Sequence, residues 1–268
     1  MNVNPITLAD FKHVWPVLEA DLEMIGLTDI ELVGSTGKKP VMGDVDVAGR
    51  CKDGRDGLYA RAVKVFGEDS VTKIGGNIVS IVYLQDVPAF QVDVMVGDPK
   101  YLRWARFGSS QDPHHPDFSP VKSSARNVLL NIITRFMSQA KLPYSELDRV
   151  RWSIDFDKGL YEVTQTKRGK KGRVLKDWKT TERYLMTSDP DRIARWMFGK
   201  GVATANTTTF EGIVGALFQS MWREQAPEIL RTFAVEIRDL AGKVPHMLGD
   251  EPEKVLAYID TIAARRQV

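Results

Sequence analysis

Two aspartates two residues apart, Asp44 and Asp46, alternate with Val45 and Val47. Residues i and i+2 of a β-strand project from the same face, so this spacing turns both carboxylates one way and buries both valines the other. Paired carboxylates on one face suit divalent cations, because Mg²⁺ takes a few carboxylate oxygens together with phosphate oxygens. Two such ions a few ångströms apart can activate a hydroxyl and steady a departing phosphate. That chemistry calls for a third carboxylate, and Asp93 supplies it inside Phe90-Gln91-Val92-Asp93-Val94-Met95-Val96, a second strand-like apolar run. Upstream, Gly34-Ser35 closes the apolar run Ile30 to Val33. A turn of this kind beside a metal site offers backbone N–H groups and a hydroxyl to a phosphate.

The order Gly-Ser, a short basic linker, Gly-Asp-x-Asp and then a distant strand aspartate resembles the polymerase β-like nucleotidyltransferase superfamily. The basic linker with Gly43 is most similar to its family X DNA polymerases. The resemblance covers about residues 30 to 97. It implies that Asp44, Asp46 and Asp93 hold two Mg²⁺ ions, with Mn²⁺ as a substitute, and that Ser35, Lys38 and Gly43 contact a nucleoside triphosphate. Arg106-Phe107-Gly108-Ser109 falls where that family carries an aromatic-rich Gly-Ser segment beside the incoming sugar, which adds Gly108 and Ser109 to the nucleotide-binding residues. The expected activity is transfer of a nucleoside monophosphate from an NTP or dNTP to a 3′-hydroxyl of nucleic acid, with release of pyrophosphate. Three other readings stay open: transfer to a protein or small molecule, a binding module that kept the fold without activity, and hydrolysis by a nuclease-like acidic cluster.

Between Lys167 and Lys179 lie seven basic residues against one acid, Asp177. Such a run is commonly a solvated hairpin tip. Its glycines let the backbone approach a ligand closely, and Trp178 can stack on a base, so Lys167, Arg168, Lys170, Lys171, Arg173 and Trp178 also form a candidate nucleic-acid contact. Asp112-Pro113-His114-His115-Pro116-Asp117 contains metal-ligand residue types, but adjacent histidines flanked by prolines match no ligand spacing, and a polar loop is expected there. The single cysteine, Cys51, excludes an internal disulfide and any thiolate zinc cluster.

The elements that must position these residues follow from periodicity. Phe11, Val14, Leu18 and Leu22 recur at helical spacing behind a Thr7/Asp10 capping pair, with Pro16 as a kink or restart. Asp56 is placed to cap a helix running to about Val65. Gly75-Gly76 opens a strand, Asn77 to Leu84, that returns through Asp86-Val87-Pro88 into the Asp93 strand. The fold class expected is α+β: a small mixed sheet with helices on one face, then a hairpin-containing, mainly helical region. Residues 1–110 form the expected catalytic core. Residues 111–268 form a nucleic-acid and nucleotide-positioning region, with a helix at about 121–140, a basic hairpin at about 160–179 and a helical end at about 190–268. The 268 residues are 43% hydrophobic and 27% charged with a net charge of +2, so no global field advertises a polyanionic partner. No apolar run approaches the roughly 20 residues of a membrane span. The first residues lack a signal-peptide pattern, and a cytoplasmic protein without membrane partners is expected.

Overall fold

A computed structural model describes residues 3–84, 87–110, 112, 114–119, 121–141, 147–169, 173–243 and 251–266. Asp86 of the expected return turn, Pro113 of the histidine loop, and Lys170, Lys171 and Gly172 of the basic run lie outside the described residues. The fold is α+β, with a mixed sheet. The chain divides into two compact units, Met1–Ser119 with Phe156–Lys158, and Pro120–Asp155 with Gly159–Val268. The first division thus falls after Ser119 rather than after residue 110. The segment beyond 110 stays with the first unit because Asp117 pairs with Lys38 and the Ser110 hydroxyl donates to the Lys38 carbonyl.

In the first unit, β1 (Ile6–Thr7) leads into α1 (Leu8–Met24), followed by β2 (Thr28–Leu32), β3 (Val41–Met42) and β4 (Val45–Arg50). Then come α2 (Gly54–Phe66), β5 (Val71–Ile74), β6 (Ile78–Tyr83), β7 (Phe90–Val96) and α3 (Pro99–Ala105). Helix α1 starts where Thr7 accepts a hydrogen bond from the Asp10 N–H, and Pro16 sits inside it without ending it. Asp56 lies in the first turn of α2 rather than capping it, because the helix already begins at Gly54. Five strands form one sheet in the order β2-β4-β7-β6-β5, with β4 and β7 parallel and the other pairs antiparallel. Strand β5 was not expected; Gly75-Gly76 is the turn joining it to β6.

The period of two sorts the sheet into two faces. Val45, Val47, Val92, Val94 and Val96 join Leu18, Leu22, Leu58 and Ala62 from α1 and α2 in the main core. The opposite face carries Ala48 and Met95, which pack with Val33, Ile78 and Leu102 of α3. A helix therefore covers part of each face, where helices on one face only were expected. Asp46 and Asp93 lie further along that second face, since each lies two residues before Ala48 or Met95.

In the second unit, α4 (Ser123–Lys141) precedes three antiparallel strands, β8 (Asp148–Asp155), β9 (Gly159–Arg168) and β10 (Val174–Thr187), in the order β10-β9-β8. Helices α5 (Pro190–Phe198), α6 (Phe210–Gln219), α7 (Ala226–Lys243) and α8 (Glu251–Arg266) complete it. Its core includes Phe210 of α6 against Phe233 of α7 at 5.3 Å and Tyr258 of α8 at 5.9 Å. No helix among the described residues is long and apolar enough to cross a membrane.

Candidate metal centre

Parallel pairing of β4 and β7 sets Asp46 directly opposite Asp93. Asp44 stands just before β4, exposed, and the carboxylate oxygens of all three aspartates reach within 4.8 Å of one another. Among the described residues, this is the one group of three or more Asp, Glu, His or Cys side chains so clustered. Hard oxygen donors in this number suit Mg²⁺ or Mn²⁺ rather than a thiolate- or imidazole-loving metal.

The electrostatics show what such a cluster costs. Burial, followed by the charges of Asp44 and Asp93, pushes the Asp46 carboxyl up to about 7, against smaller opposing pulls from Arg106 and Lys39. Burial and Asp93 also raise Asp44, opposed by Lys39 and a backbone hydrogen bond. Carboxylates held this close disfavour joint ionisation unless a proton or a cation compensates them.

Neighbouring groups fix the geometry. Gln91, on the same face of β7, donates through Nε2 to Asp93 Oδ1 at 2.9 Å, leaving Oδ2 for other partners. The backbone N–H of Asp46 donates to the Thr36 hydroxyl at 2.7 Å, and its carbonyl accepts from the Val33 N–H at 3.0 Å. Gly34 has φ +61°, and a Cβ there would lie 2.1 Å from Asp46 Oδ2. Only glycine allows the turn to lie this close to the carboxylate.

The other expected nucleotide-binding residues divide. Ser35 is half-buried beside Gly34 in the turn, and Gly43 is exposed with open space around its Cα. Gly108 has a scaffolding role instead. Its N–H donates to the Gly34 carbonyl at 2.9 Å, Gly34 N–H donates to the Arg106 carbonyl, and the two segments pair as a parallel bridge. Ser109, next to it, is buried. Lys38 is committed as well: its ammonium lies 2.9 Å from Asp117 Oδ2, donates to the Gly108 carbonyl at 2.9 Å and sits 3.9 Å over the Phe107 ring. The lysine whose charge reaches Asp44 and Asp46 is its neighbour Lys39. Arg106 adds a second cation near Asp46 and is itself ion-paired to Asp157. A cavity of about 350 Å³ shares Gly34 and Thr36 with the site and has Lys38, Arg103 and Phe107 on its wall.

In the histidine loop, the ring of His115 accepts from the Asp117 N–H and Asp117 is spent on Lys38, so the first bond holds the loop within itself and the second ties it to the turn that carries Lys38. In the basic run, Arg168 pairs with Asp148 at 2.8 Å, and Trp178 is covered by Arg149 at 4.1 Å and Lys167 at 5.1 Å. Arg173 is exposed. Of the residues that sequence reasoning missed, Gln91 was within reach, since it shares the strand face of Asp93 at i−2. Thr36 and Arg106 carry no such signal, because only the folded turn brings them to Asp46.

No protein-family model matches this chain, and no curated protein matches it significantly.

Proposed function

We propose that the protein is a metal-dependent nucleotidyltransferase that resembles the polymerase β-like superfamily. It would transfer a nucleoside monophosphate from an NTP or dNTP to a 3′-hydroxyl of nucleic acid, in the cytoplasm. The observation that carries this reading is the in-register meeting of Asp46 and Asp93, joined by Asp44, against a glycine turn that touches Asp46. An acidic cluster alone would serve hydrolysis equally well; the Gly34-Ser35 turn beside it is a phosphate-cradling feature a nuclease does not require.

Asp44, Asp46 and Asp93 would hold two Mg²⁺ ions. When bound, these ions would supply charge compensation for the attacking hydroxyl and for the departing pyrophosphate. The 3′-hydroxyl gives up its proton to solvent water, its oxygen bonds to the α-phosphorus, the bond from that phosphorus to the oxygen bridging to the β-phosphate breaks, and pyrophosphate leaves with the electron pair. Asp93, its Oδ1 already engaged by Gln91, offers Oδ2 toward the acceptor. The half-buried Ser35 hydroxyl orients the triphosphate, since the N–H groups of Gly34, Thr36, Gly37 and Lys38 are bonded within the protein, and Lys39 contributes the nearest lysine charge. Catalysis of this kind is mostly positioning and charge stabilisation.

The test is incubation with Mg²⁺, each labelled triphosphate in turn, and a panel of single-stranded, primed and RNA acceptors, reading both extension and pyrophosphate. Asp44→Asn, Asp46→Asn and Asp93→Asn should each lose at least about 100-fold in turnover, the scale on which one transition-state contact is felt. Full turnover in Asp93→Asn would remove the third ligand. Labelling of protein or a small molecule in place of every nucleic acid would change the acceptor class.

A further inference from the structure

The pairing register of the second unit sorts its charges onto opposite faces of the three-stranded sheet. Arg149, Gln165 and Thr180 form one cross-strand row; Arg151, Val163 and Arg183 form the next; Ser153, Tyr161 and Leu185 form the third. All nine project from one face. Lys167 and Trp178 belong to it too, because Arg149 and Lys167 both lie over the Trp178 ring. Among the described residues with a fixed register, Arg149, Arg151, Lys167 and Arg183 share that face with one carboxylate, Asp155 at the rim, which lies 3.4 Å from Arg183. The reverse face holds Glu162 and Glu182 with Lys179, and also Arg168, which is neutralised by Asp148. A merely solvated sheet has no reason to separate its charges in this way, since like charges side by side on one face repel.

The cations are also held flat. The Arg149 guanidinium lies 4.1 Å from the Trp178 centroid and donates through Nε to Gln165 Oε1 at 2.9 Å, and Gln165 in turn donates to the Thr180 hydroxyl. The Arg183 guanidinium lies 4.6 Å from the Tyr161 centroid. A guanidinium stacked on a ring keeps its outer plane as a platform for another flat group and its edge N–H donors for phosphate oxygens. Arg151 ends the middle row where β8 lines a cavity of about 350 Å³ with Asn131, Arg135 and Glu236. Its Nε is buried without an acceptor among the described residues. A buried donor left unpaired costs free energy that an incoming oxygen would recover.

We infer that this face, rather than the basic hairpin tip alone, is a sequence-independent track for single-stranded nucleic acid. Rows on a sheet repeat about every 6.5–7 Å along the strand, so the cations form a regular array that a flexible polyanion can follow. Platforms for flat groups favour unstacked bases, which a duplex does not present. An anionic membrane fits less well, because surface-binding elements carry an apolar face beside the basic one and only Leu185 is an exposed large aliphatic side chain on this face. The inference rests on the proposed transferase only for the identity of the acceptor, and it can be tested without catalysis.

The full-length chain is titrated in EDTA, without triphosphate, against a labelled oligothymidylate, an oligouridylate and a duplex of equal length, over a range of salt. Failure of the metal-site reading leaves this measurement untouched. Single strands should bind more tightly than duplex, and log affinity should fall with log salt. Arg149→Ala, Arg151→Ala and Arg183→Ala should each flatten that slope by about 0.7. Arg149→Lys should restore the slope without restoring full affinity. Trp178→Ala, which removes the ring that holds the Arg149 platform flat, should weaken binding roughly 5- to 150-fold, the range for losing one stacking contact. Circular dichroism checks that each variant is folded. Should an alanine variant not fold, quenching of wild-type fluorescence on titration, lost in Trp178→Phe, reads the same contact in a conservative substitution. Unchanged slopes in folded variants, preference for duplex, binding to phosphatidylserine vesicles but not to oligonucleotide, or loss of binding only on Lys170→Ala and Lys171→Ala would each overturn the inference.

Discussion

Asp46 shows most directly how the site stores unfavourable electrostatics. Its carboxyl is raised from 3.8 to about 7 by burial first and by Asp44 and Asp93 next. Between about pH 4 and about pH 7 the folded chain therefore holds a proton at Asp46 that the unfolded chain releases, and this group's contribution to stability falls as pH rises through that window. In EDTA, chemical denaturation at successive pH values should show this decline and then a level region above about pH 7. The Asp46→Asn variant should decline less steeply, though not be flat, since Asp44 is raised as well. Adding Mg²⁺ should lift the wild type most at neutral pH, where the cation takes the proton's place. Parallel pH profiles for wild type and Asp46→Asn would show that the three carboxylates do not repel one another as their placement implies.

At the scale of elements, the site depends on two segments that meet only in the folded chain. Gly34 ends the run after β2 and Gly108 follows α3, and a Cβ on Gly108 would lie 2.2 Å from the Gly34 carbonyl carbon and 2.3 Å from the Ser35 nitrogen. Backbone cannot yield as a side-chain tip does, so Gly108→Ala should cost about 1–3 kcal/mol by overpacking. It should also displace the turn from Asp46 and lower any triphosphate affinity. Gly43→Ala, with nothing within 4 Å of its added Cβ, should be neutral in stability, and equal melting temperatures for the two variants would remove the bracing role of Gly108. This contact also shows where sequence reading reached its limit. The alternation at Asp44 to Val47 and at Phe90 to Val96 made the two acid strands and their buried faces legible, because strand period is local. The helices α1, α4 and those after Pro190 were legible for the same reason. Strand β5, helix α3 and the scaffolding duties of Lys38 and Gly108 were not. Val71–Ile74 is too short to alternate clearly, Pro99–Ala105 is only about two turns long, is buried at five of its seven positions and marks its exposed side with Lys100 and Arg103 alone, and the bonds of Lys38 span 70 residues to Gly108.

For the whole molecule, each unit has its own compact set of contacts, and we propose a different ligand for each: divalent cations for the first, a polyanion for the second. A ligand that binds only the folded form stabilises what it binds by an amount that grows with its concentration, about 2.7 kcal/mol at 100 times its Kd. Calorimetry of the full chain should therefore resolve two transitions whose responses separate. Mg²⁺ should raise one of them in the wild type and neither in Asp46→Asn. Oligothymidylate in EDTA should raise the other, in the wild type and in Asp46→Asn alike, but not in a variant combining Arg149→Ala with Arg183→Ala. If Mg²⁺ and oligonucleotide move the same transition, or if Asp46→Asn abolishes the response to both, the two ligands share one site and the assignment of metal to the first unit and nucleic acid to the second is wrong.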